Sequence, residues 1–396
     1  MLFKNCITEN GVCDIAVKNG VITNGEYDGE VIDCNGLFAC YGFLDMHCHL
    51  RDPGFTYKED ITSGLKAAAK GGFTSVMPMP NTKPVCDSPD VVNYILQKSK
   101  PLGVKVYPVA AATEGQKGEH LTDFEALKES GAIAFSDDGV PVCSNSLAKE
   151  AIIKAANISS FFISHCETPE LNQNGKVTPE SEEAMILREC EISKETGKRV
   201  HIAHVSTAKG IEIIRKAKKS GACVTAESCP HYFCFNETEV SGTNFKMNPP
   251  LRTENDRLAV IEGLKDRTLD VISTDHAPHT PEEKAAPYNK APNGILGFET
   301  AFSAGYTHLV KTGRLTLSEL VYKMSKKPYE ICGIKGGELK EGMPADMVFI
   351  NLSESFVYKK EEILSKSQNS PFIDKELYGR IKITVSNGNI IYDERK

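Results

Sequence analysis

No stretch of this 396-residue chain stays apolar over the roughly 20 residues needed to span a bilayer, so no membrane role is expected. Its beginning, Met1-Leu2-Phe3-Lys4-Asn5-Cys6, lacks the charged-then-apolar layout of a signal peptide, and a cytoplasmic protein is expected. Positive charge is not in excess. Lys and Arg number 46 against 53 Asp and Glu, a formal net charge of −7, and no basic block is interleaved with aromatics. A nucleic-acid partner is therefore not expected. Cysteine-pairing signals are missing as well. The 13 cysteines are odd in number and scattered, with no CxxC pair, which excludes a zinc ribbon or a thioredoxin-type motif. Cys40, Cys143 and Cys223 lie in apolar stretches, so the thiols are expected to be reduced and mostly buried. Internal repeats, low-complexity tracts and coiled-coil heptads are absent. An ordinary globular chain remains, long enough for one large domain or two medium ones.

What is present is an alternation. Apolar runs at 43–49, 74–80, 104–110, 132–138, 159–167, 200–206, 222–230 and 270–278 read as eight strands. Helical stretches such as 60–70, 123–130, 181–196 and 207–219 lie between them. Gly71-Gly72, Gly131, Gly197 and Gly221 fall where a helix ends, which is where a capping glycine belongs. The pattern predicts an α/β fold, a (β/α)8 TIM barrel, over residues 43–336. The ends differ in style. Residues 1–42 carry Asn-Gly hairpin signals at Asn10-Gly11, Asn19-Gly20 and Asn24-Gly25. Residues 337–396 carry strand-like pieces at 345–351, 380–385 and 390–392, with Asn387-Gly388 between the last two. Both ends are expected to combine into one small β-sandwich beside the barrel.

The polar residues at the strand ends carry the chemistry. In a strand, positions i, i+2 and i+4 share a face, so Asp45-Met46-His47-Cys48-His49-Leu50-Arg51 aims His47, His49 and Arg51 the same way. Two imidazoles make half of a zinc site, and an Arg beside them is a forked receptor for a carboxylate. Cys48 and Cys166 alternate away from their histidine neighbours. The second run ends in Met79-Pro80-Asn81-Thr82, the fourth in Ser136-Asp137-Asp138-Gly139, the fifth in His165, the sixth in His204 and the eighth in Thr274-Asp275-His276-Ala277-Pro278-His279. Barrel sites sit at the carboxyl ends of the strands, so these groups converge on one rim. The ligand count suits two ions: His47, His49 and Asp275 for one, His165 and His204 for the other, with Asp137 or Asp138 bridging. A bridged pair can share a hydroxide that is nucleophilic near neutral pH. Nitrogen and oxygen ligands favour zinc, with manganese or cobalt as alternatives. The remaining histidines read otherwise: His201 as structural on the opposite face, His231 and His276 as supporting or packing groups, His120 and His308 as unpatterned.

Together these motifs resemble the cyclic amidohydrolases, and among them the bacterial dinuclear dihydroorotases. Asp45–Gly54 is similar to that family's DxHxHxRxPG. The stretches Met79-Pro80-Asn81-Thr82, Ala134-Phe135-Ser136-Asp137-Asp138-Gly139, Lys246-Met247-Asn248-Pro249-Pro250-Leu251-Arg252 and Ser273-Thr274-Asp275-His276-Ala277-Pro278-His279 match its further motifs in order. The tail, with Ser370-Pro371-Phe372 and Leu377-Tyr378-Gly379-Arg380, is also similar. The resemblance implies that Asp138 bridges two Zn2+ ions, in place of the carboxylated lysine of many relatives. It implies substrate contacts from His49, Arg51, Asn81, Asn248, His279 and the loop at Asn293-Gly294, where a commoner pattern has Phe before the Gly. The implied reaction is the interconversion of N-carbamoyl-L-aspartate and L-dihydroorotate plus water, in de novo pyrimidine synthesis. Asp275 is the expected proton shuttle, and Arg51, with Asn81 and His279, the holder of the ring's exocyclic carboxylate. Residues 280–296 are expected to form a lid. The partners implied are a small-molecule substrate, a second copy of the chain and aspartate transcarbamoylase. Two rival readings are an allantoinase or dihydropyrimidinase, and a catalytically silent scaffold for aspartate transcarbamoylase. An Arg at position 51 speaks against the first and the complete ligand set against the second.

Overall fold

A computed structural model describes residues 1–173 and 175–395. Its centre is a parallel barrel. The strands Phe43–Cys48, Phe73–Pro78, Lys105–Val106 with Val109–Ala110, Ala134–Phe135, Phe162–Ser164, Val200–Ile202, Val224–Ser228 and Val271–Ile272 pair in chain order. The eighth strand returns to the first: Asp275 N–H donates to His47 O at 2.9 Å and His49 N–H to His276 O at 2.8 Å. Buried Asp45 reinforces this closure, accepting from Thr274 N–H at 2.9 Å and Thr274 Oγ at 2.5 Å.

The third strand, read as one run, is two short pieces. Pro108 explains the break, because it has no N–H for a ladder. The chain changes partner there: Tyr107 N–H donates to Val76 O at 2.9 Å, while Pro108 O accepts from Ile133 N–H at 2.9 Å. Several other ladders are shorter than expected, ending at Phe135, Ser164, Ile202 and Ile272. Apart from His47, which lies within the first strand, the site residues therefore stand just beyond the pleat. Arg51, His204 and Asp275 adopt positive φ values of 60°, 34° and 49°. Such strained backbone persists only where its surroundings fix it.

Several helices start on side-chain caps. Asp60 accepts from Ser63 N–H, Asp123 from Ala126 N–H and Thr207 from Gly210 N–H, ahead of Ile61–Lys70, Phe124–Glu129 and Ala208–Lys219. Each such cap contributes about 1 kcal/mol. The helix expected over 181–196 begins earlier, as Pro179–Thr196, because Thr178 caps it and Pro179 presets its first turn. It ends at Gly197, whose φ of 65° is left-handed.

The chain's two ends share one eight-stranded sheet. Phe38–Tyr41 pairs antiparallel with Met347–Val357, so Tyr41 faces Met347 and Phe38 faces Ile350. The sheet folds around a core of its own, where the Phe3 and Phe349 rings stack with centroids 4.8 Å apart among Ile15, Val17, Met347 and Ile383. No helix among the described residues is long and apolar enough to cross a membrane. The described cysteines are free and mostly buried, but Cys143 and Cys223 are exposed, as is Cys13. Cys143 lies in the loop before the helix Asn145–Asn157, and Cys223 in the turn before the seventh strand, so neither reaches the core.

Candidate active site

Asp138 is common to two clusters of buried donors at the carboxyl mouth of the barrel. One contains His47, His49 and Asp138, the other Asp138, His165 and His204. Asp138 Oδ1 lies 3.2 Å from His47 Nε2 and 3.5 Å from both His165 Nδ1 and His204 Nε2. Its Oδ2 lies 3.5 Å from His49 Nε2. Asp275 Oδ1 borders the first cluster, 3.2 Å from His49 Nε2 and 3.7 Å from His47 Nε2. All six residues are at most 6% exposed. A tetrahedral ion with bonds of about 2.0–2.1 Å keeps its ligand atoms about 3.4 Å apart, which is the spacing seen. Two of the donors, His47 Nε2 and Asp138 Oδ1, are buried without a hydrogen-bond partner. Buried polar atoms are rarely left so, and a cation between them resolves it. Burial opposes charge on His165, but Asp138 and Glu167 outweigh it and raise its pKa to about 9. A metal would displace that proton. The donor set therefore fits metal ions.

A second layer aims these ligands. His47 Nδ1 meets Glu227 Oε1 at 2.8 Å, and His201 Nε2 meets Glu227 Oε2 at 3.3 Å. Burial alone would raise Glu227, yet its bonds to His201 and His47 hold it well below the usual carboxylate range. Asn81 Oδ1 takes His49 Nδ1 at 2.8 Å, and Glu167 Oε2 takes His165 Nε2 at 3.0 Å. Ligating histidines are commonly fixed in this way at their second nitrogen. Asp137 turns elsewhere, accepting from Ala112 and Thr113 N–H at 2.8 and 3.0 Å. Sequence reasoning missed Glu227 and Glu167. A lone carboxylate inside the apolar run 222–230 was the available signal, because its burial needs partners. His201 was read as facing away, but it shares Glu227 with His47. His276 packs outside this layer, stacked on Phe298 with centroids 4.1 Å apart. His231 is buried, and its Nε2 has no hydrogen-bond partner.

The expected substrate residues fall into two groups. Arg51 and His279 lie together: Arg51 Nε donates to Pro278 O at 3.2 Å, and Arg51 Nη2 is 3.3 Å from His279 Nε2. No carboxylate among the described residues forms an ion pair with Arg51. Desolvation lowers its pKa to about 10, so it remains a half-buried cation open to an anion. His279 Nε2 meets Asn293 O at 2.8 Å and therefore carries the proton; its Nδ1 faces Lys58 Nζ at 3.3 Å. Burial, then Arg51 and Lys58, push His279 down to about 2, and the ring stays neutral. Gly294 has φ 138°, and a Cβ there would meet Ala277 O at 2.6 Å, so only glycine fits. Its N–H is taken by Lys246 O at 2.9 Å. Asn81 and Asn248 belong to the other group and hold the ligand layer. Asn248 Nδ2 donates to Glu167 Oε2 at 3.0 Å. His49 belongs to the same group, its Nδ1 at Asn81 Oδ1 and its Nε2 3.2 Å from Asp275 Oδ1.

Comparison with known proteins agrees with this geometry. A family profile described as Dihydro-orotase-like matches residues 37–210. The dihydroorotase of Acetivibrio thermocellus is 46% identical over 408 residues, covering 98% of this chain and 96% of that protein. The dihydroorotase of Clostridioides difficile is 42% identical, covering 96% and 95%. In three dimensions, the L-hydantoinase (dihydropyrimidinase) of Arthrobacter aurescens superposes with a TM-score of 0.90 at 24% identity, over 99% of this chain and 96% of that one, which is a likeness of fold. With relatives this similar along nearly its whole length, the chain belongs to the dihydroorotase family.

Proposed function

We propose that this metal-dependent enzyme opens and closes the six-membered ring of L-dihydroorotate, with N-carbamoyl-L-aspartate as the open form. The observation that carries this reading is the pairing of two donor clusters through Asp138 with a half-buried Arg51 that no carboxylate among the described residues pairs, near their rim. His47, His49 and Asp275 would hold one zinc ion and His165 and His204 the other, with Asp138 shared. Bound there, the ions supply Lewis-acid polarisation of the reacting carbonyl and water acidified towards neutral pH.

The protein's own groups do the rest. Burial works against the Asp275 carboxylate, but His49 and His47 keep its pKa below the ordinary value, so it is ionised and ready to act as a base. It takes a proton from the attacking water and delivers it to the leaving ring nitrogen as the C–N bond breaks. In the reverse direction it carries the proton back, and water leaves. Arg51 binds the exocyclic carboxylate through its fork and fixes the ring's orientation. Neutral His279 lies beside it and keeps the pocket's charge on Arg51 and Lys58. A plain hydantoin or dihydropyrimidine ring lacks that carboxylate and gains nothing from Arg51. A cytoplasmic setting, a homodimer and association with aspartate transcarbamoylase accompany this reading.

The test is dihydroorotate hydrolysis by the purified protein, with bound metal quantified on the same sample. Turnover with close to two zinc ions per chain is expected. A fully metallated protein that turns over dihydrouracil or allantoin but not dihydroorotate would overturn the substrate assignment.

A further inference from the structure

Lys284 ends the four-residue helix Pro281–Lys284 and is buried, 5% exposed. A buried ammonium usually finds a carboxylate, and none among the described residues pairs with Lys284. Its Nζ meets three backbone carbonyls instead: Thr243 O at 2.9 Å, Lys246 O at 3.1 Å and Pro292 O at 3.0 Å. An ammonium has three N–H donors, and all three are used. Two of these carbonyls belong to the segment 243–248 and the third to the loop after the eighth strand. Further bonds join the same two segments. Thr243 Oγ donates to Lys284 O at 2.5 Å, Lys246 Nζ to Ala291 O at 2.5 Å and Gly294 N–H to Lys246 O at 2.9 Å.

We propose that Lys284 is a positioning residue that pins the loop 280–296 to the segment 243–248 and so fixes the wall of the substrate pocket. Both segments lead directly to groups at the site. Residue 248 is the Asn bonded to Glu167, which holds His165. Pro292 precedes Asn293, whose carbonyl sets the proton position on His279. Buried loop carbonyls need donors once water is excluded, and one ammonium satisfies three of them from two segments. Losing it leaves three carbonyls without that donor and the register to the remaining bonds of Thr243, Lys246 and Gly294, which loosens it. This inference rests on the dihydroorotase reading, since the pocket it shapes is that of the ring substrate.

The experiment uses the full-length, metal-loaded enzyme. Wild-type turnover of dihydroorotate is measured first; its absence would sink the functional reading itself. Given that turnover, Lys284→Met is expected to raise KM for dihydroorotate at least tenfold, with kcat changed less and bound metal unchanged. Lys284→Ala is expected to regain part of the loss when ethylamine is added, because Lys284 borders a cavity of about 630 Å³ through which a small amine can enter. A wild-type KM in Lys284→Met overturns the positioning role alone, and so does a loss in Lys284→Ala that ethylamine does not relieve. If neither variant folds, amide exchange on the wild type decides. Dihydroorotate should slow exchange in 243–248 and 280–296 by the same factor, and independent responses refute the pin.

Discussion

Replacing Glu227 with Gln separates the aiming of a ligand from the stability of the fold. Glu227 is fully buried. One oxygen meets His47 Nδ1 at 2.8 Å; the other meets His201 Nε2 at 3.3 Å and accepts from Ser273 Oγ. Gln keeps the volume, and its carbonyl can still accept from His47 Nδ1–H. Its amide group can be met by His201 in the other tautomer and by the Ser273 oxygen. The shape is therefore preserved and the charge lost. Removing such a partner typically costs 10–100-fold in metal affinity, which is about 1.4–2.8 kcal/mol. Because the Gln retains the bond to His47, the lower half is expected, about tenfold. The metal-free fold is expected to weaken less than metal binding does, since Gln loses the charge that His47 and His201 stabilise but keeps the bond to His47 and is cheaper to desolvate than a carboxylate. The assay is competition for metal against a chelator of known affinity, with thermal unfolding of the stripped protein in parallel. Metal affinity within twofold of wild type would refute the aiming role. A fall in metal-free stability as large as the fall in affinity would show that Glu227 serves the fold instead.

Arg51→Lys should raise KM for dihydroorotate by about 10–100-fold, because an ammonium replaces two parallel charged hydrogen bonds with one; unchanged affinity in a titration would remove the carboxylate assignment. Asp275→Asn should lower kcat by about 10²–10⁴ in both directions, the range of a lost proton carrier, and near-normal steady-state turnover would exclude the shuttle. His279 gives a pH signature. It stays neutral in the fold down to about 2, against 6.5 ordinarily. The unfolded chain therefore binds the extra proton below pH 6.5, and stability falls on acidification by up to about 1.4 kcal/mol per unit. His279→Gln should lose up to one proton of slope from that acid limb in denaturant titrations. Parallel limbs would mean that the ring is protonated in the fold.

The barrel was legible because its strands are short apolar runs bounded by capped helices, and that pattern depends only on neighbours in sequence. Alternation also placed His47 correctly, since His47 lies within a ladder. It failed where ladders stop. His201 and His204, three apart, should face opposite ways in a pleat. Yet the sixth strand ends at Ile202, and the positive φ of His204 turns its ring back toward Asp138 while His201 still reaches Glu227. No periodicity encodes a residue that has left the strand.

The choice between Asp137 and Asp138 shows a second limit. Adjacent carboxylates at a strand end are equivalent ligands by composition, and a one-residue shift would exchange their roles. What separates them lies in the preceding unit, where the amides of Ala112 and Thr113 claim Asp137 and leave Asp138 to the histidines. Those amides lie just past Ala110, where the third strand stops, and Ala112 N–H is shared between Asp137 and Ser136 O, 3.2 Å away. The identity of the shared carboxylate is thus set partly by where a neighbouring strand ends, a property of the closed barrel rather than of the Asp-Asp pair. Lys58 likewise meets His279 only because closure brings the first and eighth strands together, whereas Asn81 meets His49 across the directly paired first and second strands. Residue types at the rim were readable one strand at a time. Their hydrogen-bond partners belong to the barrel's circumference, and follow only once all eight strands are in place.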